Sequence, residues 1–165
     1  MFTVVFEVVA LAGAAVHLAL AKNTRTHRQI AEIVLLYWFA IAIGALGIFE
    51  FAGHTFRATQ VAASIGWTAG NPFQQEVAFA DLTLGVLGLC CIWLRGNFWV
   101  ATTIAAAVIL WGDALGHIEQ MVRYGNHHPG NSGAVLWSDI AIPAVAIGLL
   151  ILRASAARSQ RLMIS

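Results

Sequence analysis

Charge is what this sequence has least of. Only 10% of its 165 residues are Asp, Glu, Lys or Arg, where a soluble domain carries about 25%. The net charge of +1 excludes an electrostatic footprint for nucleic acid, and no basic patch or RNA- or DNA-binding motif is present. Cysteine is almost missing as well. Cys90 and Cys91 stand side by side in an apolar run, a spacing that excludes a CxxC pair or a zinc knuckle and leaves two small buried hydrophobes. No basic segment precedes the first apolar run; Lys22, Arg25 and Arg28 follow it. That order identifies a retained helix, not a cleaved signal peptide.

What is present is hydrocarbon. The chain is 59% apolar with a mean hydropathy of +0.77, the composition of an integral membrane protein. Its length suits one helical bundle, a single domain over residues 1–165 with no separate soluble part. The apolar runs predict an all-α fold of five transmembrane helices at about 2–21, 30–52, 72–94, 98–122 and 134–152, each near the ~20 residues a bilayer requires. Asn71 is placed to cap the third, which opens at Pro72. Arg95-Gly96-Asn97 makes a tight turn into the fourth.

The basic residues set a direction. The first loop holds Lys22, Arg25 and Arg28, the third Arg95, and the tail Arg153, Arg158 and Arg161; the second and fourth loops hold only Arg57 and Arg123. The positive-inside rule then puts the N-terminus outside and the C-terminus in the cytoplasm of an inner-membrane protein. Trp93 and Trp99 mark the inner interface and Trp67 and Trp137 the outer one.

Against this background the ionisable residues inside the runs carry the functional information, because charge in hydrocarbon is costly and kept for function. They are Glu50, His54, Glu76, Asp81, Asp113, His117 and Asp139. Two pairs, Glu50-x-x-x-His54 and Asp113-x-x-x-His117, put a carboxylate and an imidazole on one helix face. At ~1.5 Å per residue from the outer ends, Glu50, His54 and Glu76 lie within roughly 6 Å of the surface, Glu7, His117 and Asp139 near 8 Å, and Asp81 and Asp113 near 13 Å. Five helices therefore place acids in one leaflet.

Neighbouring residues refine the picture. Asp113, His117, Gln120 and Tyr124 form a stripe that should face the bundle interior, beside a Gly112-x-x-x-Gly116 pair that reads as a packing surface. Glu76 and Asp81 lie about 140° apart around their helix, and Glu76 is preferred as the partner of the two pairs; Asp81 shares its side with Gly85 and Gly88. Pro143 cannot donate to the Asp139 carbonyl, which is either a kink or a freed ligand. The loop Gly53–Asn71 has an apolar side in Phe56, Val61, Ile65 and Trp67, suited to a short surface helix or lid. His127 and His128, in the turn-rich stretch from Gly125 to Gly133, read as solvated, and His17 and His27 as structural.

The runs Gly53-His54-Thr55-Phe56, Gly66-Trp67-x-x-Gly70-x-Pro72-Phe73-Gln74-x-Glu76-Val77, Gly112-x-x-x-Gly116-His117 and Gly125-Asn126-x-x-Pro129-Gly130-Asn131-x-Gly133 resemble a family of small bacterial membrane proteins of unknown function. The resemblance implies a five-helix or similar fold and no particular activity.

Three functions compete for the polar set. In the first, Glu50, His54, Glu76, Asp113 and His117 bind a divalent metal, iron, zinc or manganese, with Asp113 and Glu50 catalytic in an oxidoreductase or hydrolase. Whether Asp81, Asp139, His127 or His128 joins is left open. In the second, a metal-free acid–base enzyme isomerises or cyclises a lipid, sterol or terpene-like substrate with the same carboxylates. In the third, the chain is a haem-binding subunit with His54 and His117 as axial ligands, or an accessory subunit. The partners expected are membrane lipid, a lipophilic small molecule, and a second copy or a larger membrane complex. The structural alternative is a polar network that only fixes helix register.

Overall fold

The computed structural model describes residues 2–21 and 24–162, with side chains through Ser159. Lys22, counted above in the first loop, lies outside the described residues, and the side chain of Arg161 is not described. Eight α-helices and one π-helical stretch make up the described secondary structure: α1 (Phe2–Leu20), α2 (His27–Tyr37), the π stretch (Trp38–Ala45), α3 (Leu46–Phe56), α4 (Ala58–Ile65), α5 (Phe73–Cys90), α6 (Asn97–Tyr124), α7 (Pro129–Ser132) and α8 (Ala134–Leu162).

Four stretches are long and apolar enough to cross a membrane: Phe2–Leu20, His27–Phe56, Asn97–Tyr124 and Pro129–Ser159. The expected third span is not among them. Its helix, α5, has 18 residues, and Gln74, Gln75 and Glu76 dilute the apolar character of its first turns. The fold is thus a membrane helical bundle with four candidate spans and a more polar helix, α5, packed along the rod from His27 to Phe56.

The expected second helix starts earlier and ends later than its apolar run. Thr26 and Gln29 form a reciprocal capping box, Thr26 Oγ1 accepting from the Gln29 amide and Gln29 Oε1 from the Thr26 amide, which satisfies two orphan donors at the start of α2. The rod then runs through the π stretch to Phe56. Trp38 opens that stretch, fully buried, and its indole N–H donates to the Ile142 carbonyl of α8 at 3.0 Å. Phe39 behind it packs on Trp99 with ring centroids 5.5 Å apart. The other bounds shift too: the third expected helix ends at Cys90, and the last continues to Leu162.

Backbone approach between the long rod and α5 sets the register of the core. A Cβ at Gly47 would lie 2.6 Å from the Asp81 carbonyl and from the Gly85 amide, and one at Gly88 2.6 Å from the Phe39 carbonyl. Phe51 meets Phe79, and Gln74 Nε2 donates to the Ala58 carbonyl. These pairs keep one antiparallel register over four turns, so Glu50 and Asp81 stand at the same level. By contrast, a Cβ at Gly112 or Gly116 would meet nothing within 4 Å. Close packing falls on Gly44, Gly47, Gly85 and Gly88, and the expected Gly112/Gly116 interface is bare, because α6 leans chiefly on α8 and only sparsely on α5.

The two ends of the bundle differ. At one, Glu32 accepts from Arg28 at 3.0 Å and from Arg153 at 2.9 Å, and the guanidinium groups of Arg95 and Arg153 lie over the Trp99 ring. Trp99 is core, not interfacial as expected: it is buried and donates to the Cys91 carbonyl. Trp93, Trp67 and Trp137 are exposed. At the other end α4 and α7 close a cap. Asn126 Nδ2 donates to the Ile65 carbonyl, and a Cβ at Gly130 would strike the Ser64 carbonyl at 2.8 Å. Gly66 ends α4 at φ +83°, a left-handed turn that a side chain resists.

Candidate functional site

Beneath that cap Asn131 is fully buried and organises its surroundings. Its Nδ2 donates to the carbonyls of Asn126 at 2.9 Å and His117 at 3.2 Å, and its Oδ1 faces His117 Nδ1 at 2.8 Å. Carbonyl oxygens only accept, so the amide group has one possible orientation, and Oδ1 must accept from His117 Nδ1–H. The imidazole is thereby fixed in one tautomer, with Nδ1 protonated. Its other nitrogen, Nε2, lies 3.7 Å from Asp139 Oδ2 on α8. Both residues are buried, and that carboxylate oxygen has no hydrogen-bond partner among the described residues.

Asp139 belongs to a larger group. Its carboxylate lies within electrostatic reach of Asp113, Asp81 and Glu7, and that of Glu50 within reach of Asp81, Asp139 and Asp113. Each comes from a different helix: Glu7 from α1, Glu50 from α3, Asp81 from α5, Asp113 from α6 and Asp139 from α8. Asp81 Oδ2 and Glu7 Oε1 are also buried without a hydrogen-bond partner. Like charges gathered where water is scarce raise one another's energy, and the cluster is relieved by holding protons or by binding a cation.

The residues expected at the site divide into two sets. Glu50, Asp113 and His117 belong to this cluster, although the Asp113 side chain is exposed on the flank of α6 that Gly112 and Gly116 leave bare. His54 does not join them: its Nδ1 contacts Gln74 Nε2 at 3.4 Å, near the start of α5. Glu76 is exposed in the first turn of α5. The preference for Glu76 over Asp81 is reversed by the register, because Gly85 turns its side of α5, and Asp81 with it, onto α3. Among the described residues no three His, Cys, Asp or Glu side chains converge as a metal centre needs. His127 and His128 are exposed.

Asn131 was legible only as part of a turn motif; nothing in its sequence neighbourhood marks it as buried. Pro143 is fully buried in α8. It releases the Asp139 carbonyl, and Trp111 Nε1 donates to the neighbouring Ile140 carbonyl at 3.3 Å. The backbone beside Asp139 is thus partly served by a side chain of α6.

No curated protein and no solved structure matches the chain. A family of unknown function, DUF6790, matches residues 1–159, nearly the whole sequence, and the chain belongs to that family.

Proposed function

We propose that this protein is a membrane-embedded acid–base catalyst acting on a lipophilic substrate, with His117 and Asp139 as its central proton-transfer pair. One observation carries the reading: Asn131 fixes the His117 tautomer so that Nε2 is turned to a buried carboxylate with no other partner. A histidine oriented through one nitrogen and free at the other is the arrangement general acid–base chemistry uses. Nε2 and Asp139 face one another 3.7 Å apart, and a proton passes between them when that gap closes or a bound group bridges it. Glu50, Asp81 and Asp113 stand ready to take or give a second, so a proton added at one carbon and removed at another leaves the protein unchanged. An isomerase or cyclase of a lipid, sterol or terpene-like molecule needs this and nothing more.

Access supports the same reading. The α4/α7 cap covers the end of the bundle above His117, while the bare flank at Gly112, Asp113 and Gly116 faces sideways. A molecule dissolved in the bilayer meets Asp113 on that flank without crossing water.

A topology of five spans, with α5 as the fifth, the N-terminus outside and the C-terminus in the cytoplasm, accompanies this proposal. Its support is the gathering of Arg28 at the start of α2, Arg95 just before α6 and Arg153 on α8 at one end of the bundle. A reporter fused after Ser165 should work only if it is of a kind active in the cytoplasm; periplasmic activity overturns the orientation.

A metal-binding reading stands second, on a specific distance. The 3.7 Å between His117 Nε2 and Asp139 Oδ2 is too long for a hydrogen bond. It is near the ~3.4–3.6 Å that separates two ligands held at about 2.1 Å by one ion.

The substrate need not be known to test the first reading. Proteoliposomes containing the protein are incubated in deuterated water with a total lipid extract, and the lipids are examined by mass spectrometry. Acid–base chemistry at carbon leaves deuterium in a lipid species, and Asp139→Asn and His117→Ala should abolish the label. No label above protein-free vesicles, or equal label with both variants, overturns the reading.

A further inference from the structure

At the opposite end from the acidic cluster, a groove of about 400 Å³ lies between the end of α1 and the start of the long rod, lined by Val16, His17, Leu20, Ala21, Arg25 and Tyr37. Its polar wall is built, not incidental. Gly13 lets one edge of the Tyr37 ring close on the α1 backbone, since a Cβ there would sit 2.7 Å from the ring's Cδ1 and Cε1. The Tyr37 hydroxyl then meets His17 Nδ1 at 3.4 Å, with the two rings nearly perpendicular. Arg25 stands beside them, and its Nε is buried with no hydrogen-bond partner among the described residues.

The chemistry of this wall selects an anion. If the tyrosine hydroxyl donates to Nδ1, the histidine keeps Nε2–H as a free donor; in the other tautomer the hydroxyl hydrogen is the free one. Either way the groove offers a donor next to a guanidinium, and among the described residues no carboxylate lines it. Arg25 lines the groove, and a guanidinium fits a phosphate oxygen. The other wall decides the source of that phosphate. Val16 and Leu20 are exposed on a helix apolar enough to cross a membrane, so their surroundings are acyl chains. We propose that the groove binds the phosphate of an anionic phospholipid, with its acyl chains along Val16 and Leu20. The sequence alone gives His17 only a structural role, and the acid–base site takes no part in this binding.

Native mass spectrometry of the detergent-solubilised chain, titrated with phosphatidylglycerol, tests the proposal. Wild type should retain one tightly held lipid, and Arg25→Gln should weaken it roughly tenfold or more, the effect of one charge-assisted hydrogen bond. Tyr37→Phe keeps the ring on Gly13 and removes only the hydroxyl; it should weaken binding several-fold, and serves if Arg25→Gln does not fold. Arg158→Gln, on the exposed far part of α8, should leave affinity unchanged, phosphatidylcholine should bind more weakly, and millimolar inorganic phosphate should not displace the lipid. Equal affinity in wild type and both groove variants overturns the proposal. So does an equal loss with Arg158→Gln, which signals diffuse attraction, equal binding of phosphatidylcholine, or displacement by inorganic phosphate, which signals a free-anion site.

Discussion

Replacing Asn131 by alanine removes the piece that holds the candidate site together, and the size of the effect follows from its partners. The side chain is fully buried and makes three hydrogen bonds, two as donor to backbone carbonyls and one as acceptor from His117 Nδ1–H. The His117 carbonyl also lies in the body of α6, where a helical amide can serve it, so its loss is small. The Nδ1–H and the Asn126 carbonyl have no such substitute. A buried donor left unpaired costs about 1–3 kcal/mol, and a lost neutral bond about 1 kcal/mol. The sum, about 2–4 kcal/mol, is a large share of the stability of any domain. For a chain of this size it corresponds to a melting temperature lower by roughly 4–16 °C. Thermal unfolding in a mild detergent, followed by tryptophan fluorescence, measures it. Asn131→Asp is the companion variant: it keeps an acceptor for Nδ1–H but loses both donor bonds, so it should be destabilised yet leave the His117 ring in its orientation. An Asn131→Ala protein that melts within 1–2 °C of wild type, well below this estimate, refutes the reasoning, because the buried amide would then have been carrying nothing.

Three further outcomes follow from the same geometry. Gly47→Ala should cost about 1–3 kcal/mol by pushing α3 off the α5 backbone at Asp81 and Gly85, whereas Gly112→Ala, with nothing near its Cβ, should be neutral or gain up to about 1 kcal/mol; melting curves of the two separate a packed glycine from a bare one. Trp38→Phe removes the indole N–H that serves the Ile142 carbonyl and part of a fully buried ring system, and should lower stability by about 2–4 kcal/mol in the same assay. Glu32→Gln, at a half-buried pair of ion bridges, should cost no more than about 1 kcal/mol and should do so less at high salt.

Much of this architecture could be read from the sequence, and the misses have physical causes. Apolar runs located the long helices because length and hydropathy are local properties. The start of α2 was within reach as well: Thr26 and Gln29 spell a capping box three residues apart, and the apolar run alone concealed it. Depth along each helix is only partly local. Residue counts gathered Glu7, Glu50, Asp81, Asp113 and Asp139 in one leaflet but set Glu50 and Asp81 about 7 Å apart, where the pairing of α3 with α5 puts them at the same level. Rotation around the axis is not local. Whether Asp81 or Glu76 turns inward depends on which glycines meet which backbone, and Gly47 against Gly85 decides it only once the helices are paired. The same limit applies to Gly112 and Gly116, whose spacing matches a packing motif but whose neighbours stand elsewhere. Asn131 lay further beyond reach, since its burial depends on α4 and α7 folding together over the end of α6.

The central claim, that Asn131 orients His117 with Nδ1 protonated and Nε2 turned to Asp139, is tested most directly by nitrogen-15 NMR of the His117 ring in the intact protein. The account predicts a protonated Nδ1 in wild type, an Nε2 resonance that moves on Asp139→Asn, and no change in either when a strong chelator is added. An unprotonated Nδ1, or an Nε2 resonance that shifts on chelation while remaining indifferent to Asp139→Asn, contradicts it.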